Sequence, residues 1–157
     1  MDPDKLEKII LYSFHDGVLL KEALTHSSYF HEHPAESHSH NERLEFLGDA
    51  VLELIVTEEL YHRYPDYEEG TLTSIRAALV NYQMMAEVAR EIDLEKFLLL
   101  SRGEAKDTGR AREVILANAV EALIGAIYLD ASYGTAKKFV VKFVLAHLDD
   151  VFKQGLY

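Results

Sequence analysis

Cysteine and tryptophan are absent from this sequence of 157 residues, and proline occurs only three times. The lack of cysteine excludes disulfides and cysteine-ligated zinc or iron–sulfur sites, and it favours a reducing environment. The charged N-terminus has no hydrophobic signal core, and the longest apolar stretch, residues 114–129, is shorter than a membrane span. We therefore expect a cytoplasmic protein that does not associate with membranes.

Alternating apolar and polar residues, the pattern of a strand, are also missing, and the periodicity is helical almost throughout. The length and the 48% hydrophobic content fit a single globular domain over residues 1–157. Ser39 and Glu42 have the spacing of a capping box at the start of a helix. The sequence thus predicts an all-α fold with helices at 4–12, 16–29, 40–63, 70–80, 82–91, 109–131 and 133–152.

Positive charge is scarce, because 16 Lys and Arg residues face 27 Asp and Glu residues and leave a formal net charge of −11. Proteins that bind nucleic acids usually present a basic surface to the phosphates. The charge alone therefore argues against a polynucleotide partner. This conclusion changes if the acids form a cation-binding cluster, since bound divalent metal reverses the local field and attracts phosphate.

Acidic residues form a stripe along the predicted helix that contains Asn41 to Leu54. At 100° per residue, one side carries apolar side chains and the other side carries Glu42, Glu45, Asp49 and Glu53. An acidic stripe opposite an apolar stripe is typical of a solvent-exposed helix face. The stripe is therefore either a solvated surface or one half of a metal-binding site.

Two polar residues, Asn118 and Glu121, lie one helical turn apart in the apolar stretch 114–129. A helix so apolar is expected to be buried, and an ionised glutamate without partners there would cost several kcal/mol. Glu121 must then be neutralised, hydrogen-bonded to the backbone or an arginine, or bound to a cation. Oxygen ligands from two helices would suit Mg²⁺, for which Mn²⁺ can substitute.

Four segments together resemble the catalytic domain of the ribonuclease III family, in the family's order and over nearly the whole chain. They are "ALTHSSY" (23–29), "NERLEFLGDAVLEL" (41–54), "YPDYEEGTLTSIRAALVN" (64–81) and "LSRGEAKDTGRAREVILANAVEALIGAIYLD" (100–130). The resemblance implies an all-α endonuclease domain that forms a symmetric homodimer and cuts double-stranded RNA, including ribosomal RNA precursors, with divalent metal. Its products would carry 5′-phosphates, 3′-hydroxyls and short 3′ overhangs.

The resemblance also implies roles for individual residues. The catalytic, metal-ligating positions of the family correspond here to Glu45, Asp49, Asn118 and Glu121. Glu42 and Glu69 resemble accessory acids of the catalytic valley, and Phe46 resembles the aromatic residue of the dimer interface. From the residues alone, Phe46 could also lie at the edge of the core.

Asn118 departs from the family pattern, which has aspartate three residues before the second-helix glutamate. An amide oxygen can bind a metal ion but brings no charge, so metal affinity should fall. A working variant, a natural inactive homologue and an engineered inactivating change would each explain it. The alternative to an active endonuclease is therefore a catalytically weakened or inactive dimer that binds double-stranded RNA as a scaffold.

Bacterial members of the family continue into a double-stranded-RNA-binding domain, which we do not find in this sequence. We therefore expect weak, salt-dependent RNA binding, or help from a separate RNA-binding protein or module. Arg76, on the segment that borders the family's valley, is a candidate RNA contact. A basic cluster before the buried helix could be a phosphate-contacting rim or a solvated loop, and it contains Arg102, Lys106, Arg110 and Arg112.

Histidines are concentrated in one polar loop, at His31, His33, His38 and His40. The spacing allows adventitious metal binding, but no helix or cysteine framework holds these side chains. We expect no physiological metal site in this loop. His26 is expected to form a structural hydrogen bond or a helix cap.

Overall fold

The computed structural model describes residues 2–36 and 39–155, and within them the only β-structure is an isolated bridge between Thr25 and Leu99. The prediction of an all-α fold is therefore confirmed. The described chain forms ten α-helices, α1 to α10, and two 3-10 turns at Leu94–Phe97 and Leu145–His147. The helices are Pro3–Ile10, Gly17–Ala23, Ser27–Glu32, Glu42–Arg63, Glu69–Val80, Tyr82–Glu91, Arg102–Lys106, Arg110–Asp130, Tyr133–Phe143 and Leu148–Gln154.

The two longest helices, α4 and α8, cross at the centre of the fold. Gly48 on α4 and Gly125 on α8 lie at the crossing, where the two backbones are in direct contact. A Cβ atom at Gly48 would lie 1.6 Å from the carbonyl oxygen of Glu121, and one at Gly125 would lie 2.4 Å from that of Leu44. Only glycine allows this approach, so these two positions determine how closely the acids of α4 and α8 can meet.

Helix α8 is buried along most of its length, as its composition predicts. Eleven of its residues are buried, all of them between Ile115 and Ile127. Most of them pack against apolar residues from most of the other helices in one large core, and Ala122 and Ala126 pack with Ala23 and Leu44 in a smaller cluster. Despite this apolar character, no helix in the described part of the chain has the length and hydropathy needed to cross a membrane.

The predicted helix 16–29 is wrong, because α2 ends at Ala23 and α3 begins at Ser27. Leu24 accepts a backbone hydrogen bond from Leu99, and His26 donates one to Leu99, so the intervening residues bond across the fold. Similarly, the predicted helix 133–152 is interrupted by the 3-10 turn Leu145–His147. Pairing with a distant segment cannot be read from local periodicity.

Asn41, rather than Ser39, precedes the first residue of α4, so the predicted capping box is wrong. Asn41 is 3% exposed. Its side-chain amide donates to the carbonyl of Ala23 at 3.1 Å, and its backbone N–H donates to that of Thr25 at 2.9 Å. The asparagine that begins the "NERLEFLGD" segment therefore anchors α4 to the end of α2.

Asp130, the last residue of α8, holds the segment that follows α1. Its carboxylate accepts hydrogen bonds from the hydroxyl of Tyr12 and from the backbone N–H groups of His15 and Asp16, the latter two at 2.8 and 2.9 Å. Burial alone would raise the pKa of Asp130, but these hydrogen bonds lower it overall. One carboxylate thus fastens the N-terminal segment to the central helix.

Candidate active site on α4 and α8

The acidic stripe of α4 is only partly exposed to solvent. Glu42, Asp49 and Glu53 are exposed, whereas Glu45 is half-buried. Burial raises the pKa of Glu45, and the negative charges of Glu42 and Asp49 raise it further. The stripe is therefore more than a solvated surface, because at least one of its carboxyl groups is partly desolvated beside like charges.

Glu121 approaches the same stripe from α8. Burial raises its pKa to about 9, and a hydrogen bond with Asp49 and the charges of Asp49, Glu45 and Glu53 contribute. Without a cation, Glu121 is therefore protonated at neutral pH and donates a hydrogen bond to Asp49. The structure brings the predicted residues Glu45, Asp49 and Glu121 together, and it adds Glu53 as a neighbour.

Asn118 lies one turn before Glu121 on α8 and is half-buried. Residues three apart project from the same face of a helix. The amide oxygen is thus carried on the helix face that bears Glu121. Asn118 therefore offers an uncharged oxygen, whereas Glu45, Asp49 and Glu121 offer carboxylate oxygens.

The oxygen donors of α4 and α8 match the preference of a hard divalent cation such as Mg²⁺ or Mn²⁺. Such a cation would offset the burial and the like charges that now keep Glu121 protonated. Glu45, Asp49 and Glu121 could hold it, with Asn118 as a neutral ligand. The donor set of these residues therefore fits a hard divalent cation.

Glu69 begins α5 and is exposed. It lines a cavity of about 410 Å³ with Thr57, Thr73 and Arg76, among other residues, and none of Glu45, Asp49 and Glu121 belongs to that lining. Glu69 thus shares a cavity with Arg76, whose Nε lies 3.9 Å from Glu53 of the acidic stripe.

Arg76 lies at the far end of the acidic stripe. Its guanidinium donates to the hydroxyl of Thr57 at 3.0 Å, and its Nε lies 3.9 Å from Glu53 Oε1. Since Glu53 also raises the pKa of Glu121, Arg76 is a cation close to the cluster.

The four basic residues before α8 have different environments. Arg102, Lys106 and Arg110 are exposed, and the guanidinium of Arg110 lies 5.7 Å from the centre of the Tyr82 ring. Arg112 is instead 12% exposed at its side chain, where it pairs with Glu95 and donates to the carbonyl of Glu104 at 2.8 Å. These contacts favour a structural role for Arg112.

Helix α7, which carries Arg102 and Lys106, lies close to the start of α4. The backbone N–H of Arg102 donates to Glu32 at 3.2 Å. Burial lowers the pKa of His26, and this effect outweighs the opposing charges of Glu104 on α7 and Glu42 on α4. Cationic residues therefore flank the acidic stripe near both ends, with α7 at one end and Arg76 at the other.

The histidine loop is held by ring contacts. The ring of Phe30 lies 5.2 Å from that of His40, and Tyr29 stacks on His33 at 4.2 Å. His38 lies outside the described residues. The prediction for His26 is confirmed, because its Nδ1 accepts a hydrogen bond from the backbone of Ser28 and caps α3.

Phe46 is 84% exposed, although it is a large apolar residue in the middle of the acidic segment. It lines a cavity of about 630 Å³ together with three leucines and four polar residues, which are Leu44, Leu47, Leu129, Glu22, Ser39, Glu42 and Arg43. Leu129 is itself 55% exposed. The surface thus carries an exposed phenyl ring at the edge of a recess that is lined by both apolar and charged residues.

Three features around the site were not predicted from the sequence, and two of them have a signal there. Gly48 was detectable in principle, because an isolated glycine within a strong helical pattern often marks a close backbone approach. Asn41 also lies at the helix start, where asparagine is common. In contrast, the pairing of Arg112 with Glu95 depends on the tertiary structure.

Two crossed helices of an all-helical fold thus bring carboxylates together around a partly buried glutamate. This arrangement is typical of the class of proteins that bind a cation through acidic oxygen donors. The model of the Ribonuclease-III-like family matches residues 16–148 of the chain. The chain therefore belongs to the ribonuclease-III-like family.

Individual relatives agree with this assignment. Ribonuclease 3 of Oleidesulfovibrio alaskensis is 51% identical over 88% of this chain and 60% of its own length, and that of Enterococcus faecalis is 48% identical over 87% and 59%. The chain thus spans about 60% of the length of these relatives. The solved nuclease domain of ribonuclease III from Campylobacter jejuni superposes with a TM-score of 0.84 at 41% identity, covering 92% of this chain and 97% of that domain.

Proposed function

We propose that this chain is the catalytic domain of a divalent-metal-dependent endoribonuclease that hydrolyses phosphodiester bonds of double-stranded RNA in RNA processing, including that of ribosomal RNA. The proposed products carry 5′-phosphates, 3′-hydroxyls and short 3′ overhangs. The observation that carries the proposal is the burial of Glu121 against Asp49, beside Glu45 and Glu53. The names of the relatives support the reaction class.

In this proposal, Glu45, Asp49, Asn118 and Glu121 hold Mg²⁺, for which Mn²⁺ can substitute. When bound, the cation supplies a water of lowered pKa and offsets the charge that develops on the phosphate. Glu121 must release the proton that it shares with Asp49 before it can act as a ligand. Glu42 and Glu69 are proposed accessory acids that contact water or RNA.

We propose that Phe46 forms a symmetric dimer by entering the recess of a second copy. A two-fold interface uses the same patch on both subunits, so a protrusion next to a recess complements itself. A phenyl ring that is 84% exposed also has apolar surface to bury. The related nuclease domain from Campylobacter jejuni has structural flexibility in a region involved in its dimer formation, which supports a dimer here.

RNA binding is proposed for the cations that flank the stripe, namely the half-buried Arg76 and the exposed Arg102, Lys106 and Arg110. Double-stranded RNA is read mainly through its shape, phosphates and 2′-hydroxyls, so little base specificity is expected. Because Arg112 is occupied within the chain, we give it the least weight as an RNA contact. A separate RNA-binding protein or module and a cytoplasmic location complete the proposal.

Cleavage of a long labelled double-stranded RNA across Mg²⁺ and Mn²⁺ series at low salt tests the enzyme. The parent chain should cut, and Glu121→Gln should lower the cleavage rate by about a thousandfold or more, since it removes a ligand charge. The control is Glu113→Gln, which also replaces a carboxylate by an amide on α8. Glu113 pairs with Arg90 instead of the cluster, so this variant should cut at the parental rate.

Asn118 motivates the second candidate, a dimer that binds double-stranded RNA without cutting it. Asn118→Asp restores a carboxylate on the face of Glu121, so it should lower the metal concentration required for cleavage. A parent chain that binds but does not cut, together with an active Asn118→Asp variant, would establish the scaffold. If neither chain cuts at any metal concentration, the endonuclease proposal is wrong.

A further inference from the structure

A second group of potential ligands lies away from the acids of α4 and α8. Glu87 and Glu91 are one turn apart on α6, and His147 ends the 3-10 turn that leads into α10. Each residue offers one ligand atom, and the three atoms all lie within 4.8 Å of one another. In the described part of the chain, these three side chains form the group whose possible ligand atoms lie this close together. None of the three belongs to the candidate active site.

His147 is buried without a hydrogen bond at Nε2. The residue is 8% exposed, and the Nε2 atom is shielded from solvent. Glu91 Oε1 lies 2.6 Å away, yet this contact lacks the geometry of a hydrogen bond. A proton on Nε2 would therefore not point at the nearest carboxylate oxygen. A buried nitrogen in this position requires a partner.

The charges around His147 also favour a cation. Glu87 and Glu91 are like charges at i and i+4, and they lie near the C-terminal end of α6, where the helix dipole is negative. Arg90 and Lys96, two cations near Glu91 in the sequence, are each paired with another carboxylate. Arg90 binds Glu113 at 3.1 Å, and Lys96 lies 3.7 Å from Asp93.

We propose that Glu87, Glu91 and His147 bind a divalent transition-metal ion of the Zn²⁺ type. One imidazole and two carboxylates suit Zn²⁺ better than Mg²⁺, which prefers oxygen ligands alone. Both glutamates are exposed, so water can complete the coordination. On the other side of the ring, Asp150 Oδ2 lies 3.8 Å from Nδ1, where a carboxylate commonly orients a metal-bound histidine.

The ion would join α6 to the beginning of α10. Helix α10 covers part of the core through Leu148 and Val151, but it is only seven residues long. A metal link at its first turn would therefore hold the C-terminal segment on the domain. The expected role is structural, and it is independent of RNA cleavage.

Calorimetric titration with Zn²⁺ in the absence of Mg²⁺ tests this site. To remove binding by the other cluster, all chains carry Glu45→Gln and Glu121→Gln. Glu87→Gln and His147→Gln should each weaken Zn²⁺ binding by about tenfold or more. The control is Asp93→Asn, which removes a carboxylate two residues from Glu91. Its left-handed backbone tolerates asparagine, so its Zn²⁺ affinity should stay unchanged.

Thermal unfolding gives a second readout. Zn²⁺ should raise the melting temperature of the chain with intact ligands and of Asp93→Asn, but not that of Glu87→Gln. Because Glu87 is exposed, its replacement should leave the fold intact, which circular dichroism can verify. The proposal is overturned if Glu87→Gln and Asp93→Asn bind Zn²⁺ equally well. It is also overturned if binding is lost only when His31 and His33 are replaced by asparagine.

Discussion

Gly48 touches the backbone of Glu121, so that a single added methyl group would overlap the Glu121 carbonyl oxygen. Gly48→Ala must push α4 away from α8, because backbone atoms cannot move aside as a flexible side chain can. We expect the free energy of unfolding to fall by about 3 kcal/mol or more. Urea denaturation measures this loss, and RNA cleavage should fall with it, since the acids of the two helices would separate.

Gly134→Ala is the matched control for that substitution. It also lies in a helix, α9, but an added Cβ would meet only the hydroxyl of Ser132 at 3.8 Å, an ordinary contact. Alanine at an unstrained helical position should leave stability unchanged or raise it by up to about 1 kcal/mol. Equal losses for both variants would show that the crossing of α4 and α8 tolerates a larger separation.

The stability of the cation-free protein should depend on pH through Glu121. Its pKa rises from an ordinary 4.5 to about 9 in the fold, so between these values the folded chain keeps a proton that the unfolded chain releases. The contribution of protonated Glu121 is therefore complete below pH 4.5 and is lost as the pH rises towards 9. In EDTA, the melting temperature of Glu121→Gln minus that of the parent should therefore increase as the pH rises.

Glu113→Gln gives the reference for this pH series, because it removes a carboxylate from the same helix outside the cluster. Its melting temperature should differ from the parental value by a constant amount. A similarly constant difference for Glu121→Gln between about pH 5 and pH 9 would mean that Glu121 does not hold a proton in the folded chain.

Phe46→Ala should weaken the proposed dimer by about 2 kcal/mol or more, the usual loss for a buried aromatic anchor at an interface. Analytical ultracentrifugation over a range of concentrations measures the dissociation constant. Leu11→Asn is the comparison, because Leu11 is another apolar residue, 70% exposed, and its left-handed backbone accepts asparagine. Dissociation constants that remain equal would remove Phe46 from the interface.

Arg112 and Arg102 should respond differently to replacement by alanine. Arg112→Ala breaks the pair with Glu95 and removes one of the two donors to the Glu104 carbonyl, so we expect a loss of about 2 kcal/mol in the free energy of unfolding. Arg102 has an exposed side chain, and its replacement should change stability by less than about 0.5 kcal/mol.

For RNA binding, the replacement of Arg102 should have a larger effect than the replacement of Arg112. Arg102→Ala should weaken the binding of double-stranded RNA and reduce its salt dependence, because a phosphate contact is lost. Arg112→Ala should change the binding of the folded protein less. If Arg102→Ala binds as tightly as the parent at low salt, α7 does not contact the RNA.

The sequence was sufficient for the helical class and for the pairing of the two acidic helices. The burial of α8 follows from its composition, since an apolar stretch with Asn118 and Glu121 as its polar side chains needs a central position. The stripe of α4 follows from periodicity, and a buried glutamate needs compensating partners. These inferences use only the order of residues within one helix.

Other features depend on contacts between distant segments. The break between α2 and α3 results from the pairing of residues 24–26 with Leu99, and neither segment indicates this alone. The position of Glu69 in one cavity with Arg76 depends on how α5 packs on α4. His147 lies far along the chain from Glu87 and Glu91, so their proximity is visible only in the fold.

The carboxylate of Asp130 has a consequence for the order of folding. It binds the hydroxyl of Tyr12 across 118 positions of the chain, whereas α4 and α8 build most of their structure from local turns. Closing so long a loop costs chain entropy before any contact compensates for it. The N-terminal segment should therefore dock late during folding and separate early in native-state fluctuations. Amide exchange at His15 and Asp16 would then report the opening of this segment while the central helices remain protected.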